Sequence, residues 1–214
     1  MPKTVQKKTL LTNEDRKARI ARQKRRKSAI RDKFLKRMPT GGLCVEIGVW
    51  RGEFSSEILS VIKPDCLVLV DPWRSFDEHD DQSFSGREGD IKMERIYKKV
   101  IADYAEEIAT GQIKVIRDVS TVALGGFEDE SISFAYVDGD HSYEGVKADI
   151  DKLFPKMSVG GVIAFDDYHR RGWWKDGVLR AIHEFLGAHP REVRILAVEG
   201  AQIAFEKIEP PTDG

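Results

Sequence analysis

Two short acidic clusters carry most of the chemistry available to this chain. Asp138, Asp140 and His141 follow an apolar run at Ile132 to Val137, and Asp166 and Asp167 follow another at Val162 to Phe165. Each run is short and, apart from Ser133, apolar, as a strand buried on both faces is. If the two strands are neighbours, four carboxylates meet at one edge. Like charges that close are costly unless a cation stands among them or some are protonated. Carboxylate oxygens with room for water suit a hard divalent ion such as Mg²⁺. An acid or imidazole beside such a site can take a proton from an attacking hydroxyl. Turn chemistry is the bland alternative. Asp140 or Ser142 could cap a helix starting near Tyr143, and Asp166-Asp167 could shape a loop.

A second constellation lies upstream, where Glu46, Gly48 and Gly52 surround the end of the run Leu43 to Ile47. Glycine lets a strand turn sharply into a helix, and a helix N-terminus offers unpaired N–H groups. A dinucleotide site would want G-x-G-x-x-G there. The chain has G-x-x-x-G instead, which disfavours a nicotinamide-linked oxidoreductase. Glu46 would repel a pyrophosphate and suits a cationic ligand. Asp71 ends the next run, where an acid can hold ribose hydroxyls; Asp118, Val119 and Ser120 end a third. Asp118 could face an adenine amino group or cap the following helix.

These residues need a scaffold that brings strand ends together. Leu43 to Ile47, Cys66 to Val70, Ile113 to Ile116, Ile132 to Val137 and Val162 to Phe165 read as parallel strands. Helical spacing joins Met93 to Ile108, Tyr143 to Met157 and Val178 to Leu186. Val193 to Val198 and Gln202 to Phe205, separated by Glu199-Gly200-Ala201, read as a C-terminal antiparallel hairpin. The pattern predicts an α/β fold: an open, mostly parallel sheet with helices on both faces. The polar stretch 74–90 reads as a long loop, either a lid or disordered.

Composition divides the chain of 214 residues. Residues 1–38 hold 15 Lys/Arg against 3 Asp/Glu, whereas the remainder holds 20 against 33. Residues 1–40 form a basic arm with helix-favouring residues but few apolar ones, so a projecting or frayed helix is expected. It could attract RNA or an anionic surface, or it could pack a few residues on the body or on a sister subunit in a homo-oligomer. Pro39-Thr40-Gly41-Gly42 closes it; a single domain follows over 41–208, with a tail at 209–214. No run of 18 apolar residues occurs and no leader is evident, so a cytoplasmic protein is expected. Cys44 and Cys66 lie inside strand runs and read as buried hydrophobes. His79, His183 and His189 have no partner at ligand spacing.

The motifs V-E-I-G-V-W-R-G, V-D-P-W, Y-V-D-G-D-H-S-Y-E-G-V and G-G-V-I-A-F-D-D-Y, in this order, resemble those of class I S-adenosylmethionine-dependent methyltransferases. Within them they are most similar to the branch of macrocin-type and aminocoumarin-sugar O-methyltransferases. The resemblance covers about residues 41 to 206 and implies a Rossmann-like sheet that binds S-adenosylmethionine. Glu46, Gly48 and Gly52 would shape the pocket for the methionine part, Asp71 would bind the ribose, and Asp118, Val119 and Ser120 would lie near the adenine, with Asp138 also on the cofactor side. By the same resemblance Asp138, Asp166 and Asp167 would hold Mg²⁺. Asp140 is then favoured as base, with His141 the alternative, for methylating a hydroxyl of a small molecule or sugar. His169, Trp173 and Trp174, which follow directly, either line the acceptor pocket or, for the two tryptophans, are split between core and surface. The competing reading is a nucleotide-binding or RNA-associated module that uses the basic arm and has no such activity.

Overall fold

The computed structural model describes residues 12–75, 86–170 and 172–210. Seven strands form one sheet: β1 Leu43–Ile47, β2 Cys66–Val70, β3 Ile113–Ile116, β4 Ile132–Val137, β5 Met157–Phe165, β6 Val193–Glu199 and β7 Gln202–Lys207. Their order is β3-β2-β1-β4-β5-β7-β6, with β1 to β5 parallel and β7 antiparallel to both β5 and β6. The predicted α/β sheet and its terminal hairpin are therefore present. The hairpin does more than extend the edge, because β7 inserts between β5 and β6.

Alternation along the strands explains why both faces are covered. On one face Val45, Ile47, Ala135, Val137, Ile163 and Phe165 pack against α6 Tyr143–Leu153 and α7 Gly177–Ala188. On the other, Cys44, Leu69, Phe134, Tyr136 and Ala164 pack against α1 Asn13–Leu35, α2 Glu53–Val61 and α3 Gly86–Asp103. Short helices α4 Ala105–Thr110 and α5 Ser120–Ala123 complete the set. Cys44 is fully buried and Cys66 partly so, both as free thiols.

Three boundaries differ from the sequence reading. The helix expected over Met93 to Ile108 is two, α3 and α4, meeting at Tyr104, whose hydroxyl donates to the Gly52 carbonyl at 2.5 Å. α6 stops at Leu153, because Pro155 fits the tight 3₁₀ turn Phe154–Lys156 and not a helix interior. β5 accordingly begins at Met157, with a register shift opposite Ile132 and Phe134 and with Gly160 at φ +80°. The expected loop 74–90 falls mostly outside the described residues; its last part already belongs to α3.

The basic arm is half incorporated. Phe34, Leu35 and Met38 are buried in the core, Arg37 Nη2 donates to the Leu196 carbonyl at 2.7 Å, and Lys33 pairs with Glu199 at 2.9 Å. Its earlier turns, including Lys17, Arg19, Arg22, Arg25 and Arg26, are exposed. Among the described residues no helix is long and apolar enough to cross a membrane.

Candidate active site

In an open sheet the crevice forms beyond the carboxyl ends of the strands, where strand order reverses. Here that point lies between β1 and β4. The turn leaving β1 is held against it by backbone. Gly48 has φ +85°, and a Cβ there would sit 2.2 Å from the Asp138 carbonyl oxygen. The glycine is thus required by the close approach of the β1 turn to the end of β4.

Asp71, at the end of β2, clamps the same turn. Its Oδ2 accepts from the N–H groups of Val49 at 3.0 Å and Trp50 at 2.9 Å, and its Oδ1 accepts from Trp73 N–H at 2.7 Å. Burial pushes its carboxyl above the usual range against these bonds. Gly52, at φ +72°, precedes α2, and no side chain caps that helix. Glu46 is fully buried and accepts a hydrogen bond from Ser55 Oγ. Burial raises its carboxyl to about 8 despite that bond. Asp118 is exposed and bonds its neighbour Val119 N–H, while Ser120 donates to the buried Asp149 of α6. Val119, and not Asp118, is the N-cap of α5.

The two acidic clusters do meet, since β4 and β5 are adjacent. Asp166 is buried and Asp138 half-buried. His141 Nε2 stands 3.3 Å from Asp138 Oδ1 and 3.6 Å from Asp167 Oδ2, close enough for ion pairing but aligned for a hydrogen bond to neither. Burial disfavours its charged form, yet the surrounding carboxylates outweigh this and raise its pKa. Its ring lies 4.6 Å from that of Trp174. Asp140 faces elsewhere: it is exposed, its Oδ1 accepts from Ser142 N–H at 2.8 Å, and its carboxyl packs on Gly145 in the first turn of α6. Ser142 Oγ caps that helix by accepting from Gly145 N–H. His169 and Trp173 are exposed, and Trp174 is half-buried.

A cation that the strand-end motifs do not contain sits in the acid cluster. Arg31 of α1 directs Nη2 to Asp166 Oδ2 and to Asp138 Oδ2, the latter at 3.5 Å. Lys27, one turn earlier, lies 3.3 Å from the same Asp166 oxygen. These charges outweigh burial and hold the Asp166 carboxyl below its usual range, whereas burial together with Asp166 pushes Asp138 up. The guanidinium also lies 4.4 Å from the Phe54 ring centroid and 6.0 Å from that of Tyr136. Among the described residues no group of three His, Cys, Asp or Glu stands close enough to hold a metal ion. The expected ligand set Asp138, Asp166 and Asp167 does not fit one in this arrangement, because a guanidinium engages two of its members. The spacing does carry a signal for Arg31: it lies three, four and seven residues before Phe34, Leu35 and Met38, on the buried face of α1.

The profile of the methyltransferase domain family matches residues 45–168, which include the ends of β1 to β5. The chain belongs to that family. Its Rossmann-like sheet is the class I methyltransferase fold that the motif resemblance implies. Among solved structures, the O-methyltransferase NovP superposes with a TM-score of 0.58 at 18% identity, over 84% of this methyltransferase domain protein and 76% of NovP. A Streptococcus mutans methyltransferase solved with S-adenosylhomocysteine gives 0.56 at 12% identity, over 84% and 97% of the two chains. Identities this low speak for the fold alone. The uncharacterized protein y4gI of Sinorhizobium fredii is 34% identical over 115 residues. That match takes in 52% of this chain and only 11% of y4gI.

Proposed function

We propose that this domain transfers a methyl group from S-adenosylmethionine to a hydroxyl of a small molecule or sugar. The observation that carries the proposal is the convergence of the ends of β1, β2, β4 and β5 on one crevice, bearing a clamped glycine turn and a half-buried acid–imidazole group. Residues suited to the cofactor are present. Asp71 keeps acceptor capacity beyond its three backbone bonds, Glu46 underlies the β1 turn, and α2 begins directly after the glycine turn at Gly52. Asp118, Val119 and Ser120 end β3 on the same side. When bound, S-adenosylmethionine supplies an electrophilic methyl group on a sulfonium.

The chain supplies the rest. His141, flanked by Asp138 and Asp167, is the group we assign to take the hydroxyl proton, in place of Asp140, whose carboxylate is tied into the start of α6. Trp174 beside it offers an apolar wall against which an acceptor can lie. Alignment of oxygen, methyl carbon and sulfur would provide much of the rate. O-methylation by the solved relative NovP is in keeping with this reading. The Mg²⁺ assistance expected from the acid cluster is left out of the proposal, since Arg31 engages Asp138 and Asp166.

Calorimetry with S-adenosylmethionine, S-adenosylhomocysteine and NAD tests the reading. Both sulfur ligands are expected to bind and NAD not to; failure of both sulfur ligands would reject it. The exposed basic turns of α1 favour a second role, attraction of RNA or another polyanion. That role requires RNA binding that weakens steeply with salt and disappears when Lys17, Arg19, Arg22, Arg25 and Arg26 are neutralised together.

A further inference from the structure

We propose that Arg31 is the resident cation of the acid cluster, so that this domain's own N-terminal helix does the charge compensation that a divalent ion would otherwise do at Asp138 and Asp166. The inference rests on the methyl-transfer reading, which already leaves out the metal, and says what takes the metal's place.

Four observations converge on it. The Arg31 side chain is only 12% exposed, and the Asp166 side chain 2%. A pair that buried is stable only when each charge finds its partner and further hydrogen bonding. Arg31 reaches two carboxylates at once and lies over the Phe54 ring, a seat on three elements far apart in sequence. Phe34, Leu35 and Met38 anchor the helix in the core on the same face, so the guanidinium is delivered by a packed element and not by a loose arm. Finally, among the described residues no group of three His, Cys, Asp or Glu is arranged to hold a metal ion.

The chemistry favours an arginine for this work. A guanidinium keeps its charge at any physiological pH and presents a rigid fork of donors. Here Nη2 serves the acids, while Nε is buried without an acceptor among the described residues. Arg31 is thus a positioning residue: it fixes Asp138, and Asp138 lies beside His141. With Arg31 shared between Asp138 and Asp166, and Lys27 also 3.3 Å from Asp166, the site has no need of a further cation. A divalent ion would have to displace the guanidinium from two carboxylates and leave it buried without a partner.

The test is a titration with Mn²⁺ alone, read by electron paramagnetic resonance, on the full chain and on Arg31→Gln, Arg31→Lys and Asp166→Asn, together with the double variant Arg31→Gln/Asp166→Asn. The wild-type chain and Arg31→Lys are expected to show no Mn²⁺ site that depends on Asp166. Arg31→Gln is expected to gain one, weakened at least tenfold in the double variant. A wild-type Mn²⁺ site that Asp166→Asn removes would overturn the proposal, as would a folded Arg31→Gln chain that gains none. If Arg31→Gln does not fold, the wild-type and Asp166→Asn titrations still decide. No methyl donor enters these measurements, so their outcome is separable from that of the cofactor calorimetry.

Discussion

Gly48 and Asp138 touch through their backbones: a Cβ on the first would lie 2.2 Å from the carbonyl oxygen of the second. The contact joins the turn after β1 to the end of β4, the two strands that flank the crevice. It makes one glycine a condition of the whole site. Gly48→Ala must both adopt φ +85° and push the end of β4 away. A loss of at least ~3 kcal/mol is expected from backbone strain and overpacking together. Urea denaturation would show it as a lowered midpoint, and an unchanged midpoint would refute the close approach.

A second prediction concerns the core beneath the site. Gln202 of β7 donates through Nε2 to the Tyr136 hydroxyl of β4 at 2.7 Å, and both side chains are buried. Gln202→Leu leaves that hydroxyl without its donor and should cost about 1–3 kcal/mol. In a double-mutant cycle with Tyr136→Phe the two losses should be clearly less than additive. Additive losses would mean that the bond contributes nothing of its own.

Asp149 should make stability depend on pH in the direction opposite to most acids. Buried in α6 and held by Ser120, its carboxyl is raised by burial to about 6. The folded state therefore keeps a proton that the unfolded chain releases near pH 4, so stability is full below that pH and falls as pH rises to about 6. The whole effect is about 3 kcal/mol, taking ~1.4 kcal/mol for each pH unit between the two states. Asp149→Asn removes it. The stability of this variant relative to wild type should grow between pH 4 and pH 7 in parallel urea titrations; a constant difference would contradict the buried, raised carboxyl.

His141 gives a prediction about rate. Its pKa is raised by Asp138, Asp167 and Asp166 against the effect of burial, so a proton-accepting His141 requires kcat/KM to climb through a pKa above the ordinary histidine value. Asp138→Asn withdraws the nearest charge and should move that limb to lower pH. His141→Gln should abolish the limb altogether. If Asp140→Asn abolished it instead, the base would be Asp140.

Much of the fold is legible in the sequence because its signals are local. Five short, mostly apolar runs read as strands covered on both faces, and acids such as Asp71, Asp138 and Asp166 mark where they end. The hairpin follows from Gly200 between two strand-like segments. Asp138, Asp166 and Asp167 could be placed at one edge from the α/β pattern alone.

Direction and partnership are not local. Whether Asp140 or His141 enters the acid group depends on how the chain turns into α6, and there Ser142 and Gly145 draw Asp140 aside. Asp71 stands where a ribose-binding acid was expected, but its bonds to Val49, Trp50 and Trp73 exist only once β2 lies beside β1. Arg31 is the clearest case. In the sequence it is one of fifteen basic residues in an arm of net positive charge, 135 positions from its partner Asp166. The sequence by itself determined that these acids, if they meet, need a cation or a proton. The packing of Phe34, Leu35 and Met38 decided which cation arrives, because burial of those three side chains fixes the face of α1 that meets the sheet and carries a guanidinium into the cluster with it.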